Sequence, residues 1–283
     1  MSPRPRRRTR STASILRPNL RSRMNSYAPS RRSGRIGVGV AMAMLGLCLA
    51  ACSSGPSEGA LQGKTAVAIT STSIQAYHRQ QSVHYVTKTI VGKTTTIESG
   101  ATSRSGSAEE AVTTNGHPVV EAVLVDHDAY LRATADFLKS ALNLSSSTAT
   151  TYGGKWISFQ AGQTGYSSIV SSLSPTQAIS VFVPQEPNLH VGGATSVAGH
   201  GAVAVVGSPG PGGQAAAGTT ATTTLFVSTT APYLPLSATT LSVNNGSKKP
   251  LEQVASVFGK WNQKLAPIVP KGATPITTVT GTN

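Results

Sequence analysis

Asp126, His127 and Asp128 form the densest group of metal-binding side chain types in the chain. Carboxylate oxygens and an imidazole nitrogen could together hold a divalent cation. Neighbouring residues of a strand point to opposite faces, so these three side chains would not converge on one ion. The segment therefore predicts a solvated turn between strands. His190 and His200 are a second, weaker pair, and we expect no metal site.

The sequence signatures of several common catalytic classes are missing from the chain. No Ser stands three positions before a Lys, and no His-Glu-x-x-His occurs. Gly92-Lys93-Thr94 ends like a phosphate-binding loop, but it lacks the earlier Gly and is predicted to join two strands. We therefore expect no enzyme, no catalytic residue and no cofactor, and a hydrolase is the least favoured class.

Cys52 is the residue whose surroundings indicate a defined chemistry. The preceding run Ile36–Ala51 carries no charge, and Arg31, Arg32 and Arg35 lie just before it. A basic region, a short apolar run and small residues at its end predict a secretory signal peptide over residues 1–51. The run is shorter than the ~20 residues of a stable membrane span, so a permanent anchor helix is the less favoured alternative.

The residues before Cys52 resemble the bacterial lipobox, with Leu49, Ala50 and Ala51 preceding the thiol. In that motif the sulfur receives diacylglycerol and the chain is cut just before the Cys. Cys48 is a poorer candidate because the bulky Leu47 precedes it. The motif predicts a lipid anchor at Cys52 that holds the protein on the extracytoplasmic side of the cell membrane, since several acyl chains anchor far better than one.

Residues 52–59 are rich in Ser, Gly and Pro and predict a flexible tether. Met24 is an alternative translation start that still leaves three Arg before the apolar run. Alkylation of Cys52 and removal of Cys48 with the signal peptide would leave no free thiol, because the chain has two Cys.

The strongly basic charge of the chain is concentrated at its start. The formal net charge is +14, and residues 1–36 contain eleven Arg and no acidic residue. Residues 52–283 hold 13 basic and 10 acidic side chains. A charged tail on a nearly neutral domain argues against nucleic acid as a partner.

β-branched segments between turn signals predict a mainly β domain of the α+β class. Asn115-Gly116 is a strong hairpin signal between two of the strands. Helices are predicted at Ala60–Gln80, Ala135–Leu142 and Tyr166–Leu173, with a helical or extended piece up to Phe182. Strands are predicted at Ser82–Val91, Thr94–Thr102, Ser107–Thr114, Val119–Val125, Tyr130-Leu131, Lys155–Phe159, Ser196–Gly207, Thr220–Thr230, Ser237–Val243 and Val254–Leu265.

This layout resembles the LppX/LprAFG-like lipoproteins of actinobacteria, which share the LolA/LolB-like fold. The segments that carry the resemblance are Ser82–Val86, Lys155-Trp156-Ile157, Tyr166–Leu173, Val197–Val205, Thr224–Val227, Phe258–Asn262 and Ile268-Val269-Pro270. The resemblance implies a curved antiparallel half-barrel sheet with a few helices packed on its concave face. It spans a single domain over residues 60–272, which we expect to be followed by a flexible tail over residues 273–283.

The resemblance also implies a cavity between sheet and helices that takes a lipid or lipoglycan. The expected lining consists of apolar strand positions, with one face of each strand pointing inward. The Tyr166–Leu173 helix, which includes Val170, is expected to form the facing wall. The candidate ligand-binding residues are Val83, Tyr85, Ile169, Leu173, Val203, Val205, Leu225, Val227 and Phe258.

Two functions of different classes fit these patterns. In the first, an anchored lipoprotein binds or carries a lipid or other hydrophobic molecule in the half-barrel. In the second, the same fold is a closed scaffold of the cell envelope that presents its surface to a protein or wall partner. An apolar cavity would favour the first function and a filled interior the second.

Overall fold

The computed structural model describes residues 61–210, 218–245 and 249–281. The predicted signal peptide, the lipobox, Cys52 and the tether over residues 52–59 lie outside the described residues. Within the described part, no helix is both long enough and apolar enough to cross a membrane.

The described chain alternates strands with short helices. The helices are α1 (Ala66–Arg79), α2 (Ala135–Ala141), α3 (Ser146–Tyr152), α4 (Tyr166–Ser172), α5 (Pro175–Ser180) and α6 (Ile276–Thr280). The strands are β1 (Ser82–Val91), β2 (Thr94–Ser103), β3 (Ala108–Thr114), β4 (His117–Val125), β5 (Asp128–Ala133), β6 (Trp156–Phe159), β7 (Gln185–Val197), β8 (His200–Ser208), β9 (Thr219–Ser228), β10 (Pro235–Asn244), β11 (Pro250–Gly259) and β12 (Thr274–Pro275).

All strands belong to one 12-stranded sheet with the order β12-β6-β5-β4-β3-β2-β1-β11-β10-β9-β8-β7. The two predicted strand blocks meet where β1 pairs with β11, with Tyr85 opposite Phe258. Every ladder is antiparallel except the short pairing of β12 with β6. The sheet is open and curved, which confirms the predicted mainly β, antiparallel fold class.

The tight turns follow directly from the sequence. Asn115 and Gly116 adopt φ values of 50° and 80° and join β3 to β4, as the hairpin signal predicted. Asp126 and His127, with φ values of 51° and 67°, join β4 to β5 in the same way. The predicted turn at the Asp-His-Asp segment is therefore confirmed, because these polar residues tolerate the left-handed conformation.

Side-chain caps determine where the helices begin. The Thr65 hydroxyl accepts a hydrogen bond of 3.2 Å from the Ala68 amide at the start of α1. The Thr134 hydroxyl does the same for the Phe137 amide at the start of α2. Each cap satisfies an amide that has no partner inside its helix. The predicted start of the first helix at Ala60 is thus corrected to Ala66.

The helices cover one face of the sheet, where two hydrophobic clusters form. The first cluster lies between β3–β6 and the helices α2, α3, α4 and α6, around Leu131, Leu138 and Ile157. The second cluster lies between the strands β1 and β8–β11 and the helices α1 and α5, around Ile69, Ile179 and Leu225. The cross-strand registers place the strand members of both clusters on the same face.

Two predicted strands are corrected in the second half of the chain. The predicted strand Ser196–Gly207 is broken by a turn at Ala198 and Gly199, with φ values of 50° and 81°, because β7 and β8 form a hairpin. Ala is not a typical turn residue, so the sequence signal was weak. The predicted strand Val254–Leu265 begins earlier and ends at Gly259, since Lys260 leaves the extended region with φ 47°.

Two ordered elements replace predicted irregular structure. Helix α3 was not predicted, because its Ser- and Thr-rich sequence lacks an apolar stripe. Residues 273–283 were expected to form a flexible tail, but Thr274 pairs with Ile157 of β6 and Ile276 and Val279 are buried in the first cluster. Burial of these two side chains explains why α6 packs there.

Candidate ligand cleft

A cleft of about 320 Å³ opens on the helical face of the sheet, at the end of the β2–β3 hairpin. Ala108 and Leu124 form its floor, and Val170 and Leu173 of the α4 region form a wall. The exposed side chains of His78 and Arg104 form its rim. The remaining lining is largely hydroxyl-bearing, with Thr102, Ser103, Ser107, Ser174 and Thr176. Four apolar side chains among polar and cationic ones form a lining suited to an amphipathic molecule.

The wall of the cleft is attached to the rest of the fold at the joint between α4 and α5. Thr102 Oγ1 donates a hydrogen bond of 2.6 Å to the carbonyl oxygen of Leu173. Tyr77 of α1 donates one of 2.5 Å to the carbonyl oxygen of Pro175. The joint is therefore held from the sheet on one side and from α1 on the other, which positions Val170 and Leu173 over the floor.

Arg104 is placed on the rim by two contacts with the connection between α1 and β1. Its Nε donates a hydrogen bond of 2.8 Å to the Gln80 carbonyl, and its backbone amide donates one of 2.9 Å to the Gln81 carbonyl. The side chain is exposed. In the part of the chain that the structure describes, no carboxylate forms an ion pair with it.

A polar strip crosses the middle of the helical face and runs between the two hydrophobic clusters. Tyr85 lies opposite Gly100, which lies opposite Glu110, and the Tyr85 hydroxyl donates a hydrogen bond of 2.5 Å to the Glu110 carboxyl group. One residue pair further along β1, the hydroxyls of Thr87 and Ser256 lie 3.0 Å apart. We call Tyr85, Thr87, Glu110 and Ser256 the polar strip. These groups are buried, and their mutual hydrogen bonds lower the cost of that burial.

Most of the predicted ligand-binding residues lie in the packed interior and do not line the cleft. The buried members in the second cluster are Val83, Tyr85, Val205, Leu225, Val227 and Phe258, and Val203 packs against this cluster while half-buried. Ile169 is buried in the first cluster. The alternation of the strands correctly indicates one inward face, but neighbouring side chains fill the space above it.

The predicted helix wall is the part of that set which meets the cleft. Leu173 lines the cleft together with Val170, one position after the buried Ile169. Sequence reasoning missed Thr102, Arg104 and Ala108. These residues line the cleft because the end of the β2–β3 hairpin meets the α4–α5 joint, as the hydrogen bond of Thr102 with Leu173 shows. The two segments are about 70 residues apart in sequence, so local patterns do not reveal their contact. An isolated Arg in a Ser-rich turn was the one available signal.

His84 lies on the face of the sheet opposite the helices, because its neighbours Val83 and Tyr85 point into the second cluster. Its Nε2 is buried and has no hydrogen-bond partner in the described part of the chain. Burial and, to a smaller extent, the Lys260 ammonium lower the pKa of His84, while the Glu109 carboxylate opposes this. Burial also raises the pKa of the Glu252 carboxyl group on β11.

Comparisons with known proteins find structural likeness at low sequence identity. No protein family profile matches the chain, and no curated protein sequence matches it. The fold is similar to lipoprotein LppX of Mycobacterium tuberculosis, at 15% identity and a TM-score of 0.45 over 71% of this chain and 97% of that one.

Two further crystal structures are similar over comparable lengths. LprF of Mycobacterium bovis is 17% identical with a TM-score of 0.43, covering 74% of this chain and 97% of that one. An uncharacterised conserved protein of Thermus thermophilus is 10% identical with a TM-score of 0.38, again covering 74% of this chain and 97% of that one.

Proposed function

We propose that this protein is a lipid-anchored, extracytoplasmic binding protein that holds the acyl chain of an amphipathic ligand in the cleft. The observation that carries the proposal is the cleft of about 320 Å³, with Ala108, Leu124, Val170 and Leu173 inside and Arg104 on its rim. This volume lies at the lower end of the roughly 300–1,000 Å³ of small-molecule sites.

Removal of the acyl chain from water supplies the binding free energy. Each buried CH₂ group contributes about 0.8 kcal/mol, and the wall that receives the chain is already positioned by the hydrogen bonds of Thr102 and Tyr77. A preformed wall lowers the ordering cost of binding. The site requires no chemical step, so the proposed activity is reversible binding or transfer.

The proposed anchor would keep the cleft close to its source of ligand. The described chain begins at Leu61, which is buried in the second cluster. From an acylated Cys52 to Leu61, the chain reaches at most about 30 Å when fully extended. Lipidation at Cys52 would therefore hold the domain near the membrane surface, where amphipathic lipids are concentrated.

The test is fluorescence titration with cis-parinaric acid of the domain that starts after Cys52. We expect saturable binding by the parent and a loss of at least tenfold in affinity for Val170→Trp, because the indole would fill the cleft. Val257→Trp is the matched control, since Val257 is 55% exposed and points away from the helices. No saturable binding by the parent, or equal loss in both variants, would reject the function.

A second candidate is the closed envelope scaffold, which the filled interior favours. Val205, Leu225 and Val227 are fully buried in the second cluster beneath α1 and α5, so water does not reach these three side chains. In that case, the parent would bind no acyl probe, and lipid extraction of protein purified from host membranes would recover none. Val205→Trp would then cost roughly 1–3 kcal/mol of stability through overpacking.

A further inference from the structure

We infer that the cleft selects single-chain amphiphiles with an anionic headgroup, which Arg104 binds at the rim with His78 beside it. The inference rests on the proposed function and names the class of ligand. It depends on the charge at the rim, on the burial of the apolar lining and on the volume of the cleft.

The guanidinium group of Arg104 has N–H donors that its hydrogen bond to Gln80 does not use. An Arg side chain carries five N–H donors, and the Gln80 carbonyl takes the one on Nε. That bond and the amide contact with Gln81 hold the side chain in place at the rim. The remaining donors, on the two terminal nitrogens, match the geometry of a carboxylate or phosphate and have no carboxylate partner among the described residues.

His78 places a second polar group on the same rim. It lies in the last turn of α1, and its ring packs edge-on against Tyr77 at a centroid distance of 5.7 Å. Tyr77 is in turn bonded to Pro175 beside the cleft. The imidazole is therefore positioned by the same contact that holds the cleft wall, and its ring nitrogen can donate to an oxyanion.

The apolar part of the lining is buried, whereas Arg104 is exposed. Ala108 and Leu124 of the sheet and Leu173 of the α4 region are buried side chains that line the cleft. The headgroup would therefore stay at the exposed Arg104, while the chain lies on these apolar side chains.

The volume limits the number of chains. About 320 Å³ is close to the smallest volume of ligand pockets, which suits one acyl chain better than two or three. Fatty acids and lysophospholipids share this chemistry, a single chain with a carboxylate or a phosphate. The experiment distinguishes these two sources of the anion.

Displacement of bound cis-parinaric acid would measure the affinity for oleic acid, oleoyl lysophosphatidic acid and uncharged oleyl alcohol. We expect the parent to prefer one or both anionic ligands over the alcohol by about tenfold or more, as for a hydrogen bond between charged groups. Arg104→Gln should remove this preference by lowering the affinity for the anionic ligands far more than the affinity for oleyl alcohol. Arg104→Lys should retain part of it, because the charge remains.

Lys93→Gln is the matched control. Lys93 is an exposed cation in the turn between β1 and β2, and Arg104 follows the opposite end of β2. Melting temperatures of all variants separate ligand effects from the loss of the Arg104 bond to Gln80. Equal affinity of the parent for oleic acid, lysophosphatidic acid and oleyl alcohol, or a preference that Arg104→Gln does not change, would overturn the inference and leave the binding function standing. Absence of binding by all three ligands would reject the binding function itself.

Discussion

The Tyr85 hydroxyl donates a hydrogen bond of 2.5 Å to Oε2 of Glu110 across an intervening strand. The ring reaches its partner because Gly100, which lies between them in the row, has no side chain. Glu110 is 7% exposed, so its carboxyl group is nearly removed from water. The contact joins the strands of the two hydrophobic clusters through a buried polar interaction.

Tyr85→Phe should destabilise the domain by about 1–3 kcal/mol, because a buried carboxyl group loses a donor. Urea unfolding followed by circular dichroism measures the free energy. Tyr166→Phe is the matched control, since its hydroxyl donates to the His127 carbonyl at an exposed position. The control should lose no more than about 1 kcal/mol. Equal losses of unfolding free energy in the two variants would show that the buried hydrogen bond stabilises the domain no more than the exposed one.

Gly100→Ala should also destabilise the domain, by roughly 1–3 kcal/mol through overpacking. A Cβ atom at this position would lie 2.6 Å from Cζ and from the hydroxyl oxygen of Tyr85, so the ring must move. Gly259→Ala on β11 is the control, because no atom lies within 4 Å of its added Cβ. Thermal unfolding of both variants checks the prediction, and an unchanged melting temperature for Gly100→Ala would contradict it.

Thr102→Val and Tyr77→Phe should each cost about 1 kcal/mol of stability and weaken acyl probe binding. Both remove a hydrogen bond to the α4–α5 joint that carries Leu173. Because they hold the same joint, the double variant should deviate from additivity by at least about 0.5 kcal/mol. Thr96 lies elsewhere on β2, and Thr96→Val removes its hydroxyl contact with Thr114 of β3. This variant should leave the probe affinity unchanged. Additive losses of stability with unchanged probe affinity would show that these hydrogen bonds at the joint do not influence binding in the cleft.

The stability of the domain should depend on the protonation of His84. Folding lowers its pKa from the ordinary value of 6.5, so the unfolded chain binds the proton more readily. The contribution of the neutral ring to stability is therefore fully present above about pH 6.5. It is lost as the pH drops through the lower pKa of the folded state.

Unfolding free energies measured between about pH 5 and pH 7.5 check this dependence. His84→Gln should flatten the curve at its acidic end, because no ring remains to be protonated. His200→Gln, at the exposed start of β8, should leave the slope unchanged. A parent curve without a slope in this range, or one that His84→Gln leaves unaltered, would contradict the assignment.

Cys52→Ala should abolish acyl labelling and leave the unprocessed precursor in the host. In the predicted lipobox, Leu49, Ala50 and Ala51 precede this thiol, which would then stand at the cleavage point. Labelling with an alkyne-bearing fatty acid, followed by gel electrophoresis, measures the modification. Cys48→Ala should be labelled and processed like the parent. Labelling that survives Cys52→Ala and is lost in Cys48→Ala would move the anchor to the other thiol.

Local sequence patterns were sufficient for most elements of the fold. Strand β1 was predicted with its observed bounds, and Asn115-Gly116 and Asp126-His127 were correctly interpreted as turns. These features depend on side chains a few residues apart, namely β-branched runs and residues that tolerate positive φ. The β7–β8 hairpin was missed because its turn residue Ala198 carries no such signal.

The site was decided by contacts between segments far apart in the chain. Alternation along β1, β8 and β9 indicated that one face of each strand points inward, but it fixed neither which residues form that face nor whether the face is covered. The structure places Val83, Val205 and Leu225 there. In the folded chain, α1 and α5 pack on the inward face of these strands, and a cleft opens where the β2–β3 turn meets the α4–α5 joint. The sequence by itself determined the strands, the turns and the candidate lipidation site. Only tertiary packing brought Arg104 and Leu173 to one cleft and placed a Gly between Tyr85 and Glu110, because those relationships depend on strand register and helix docking.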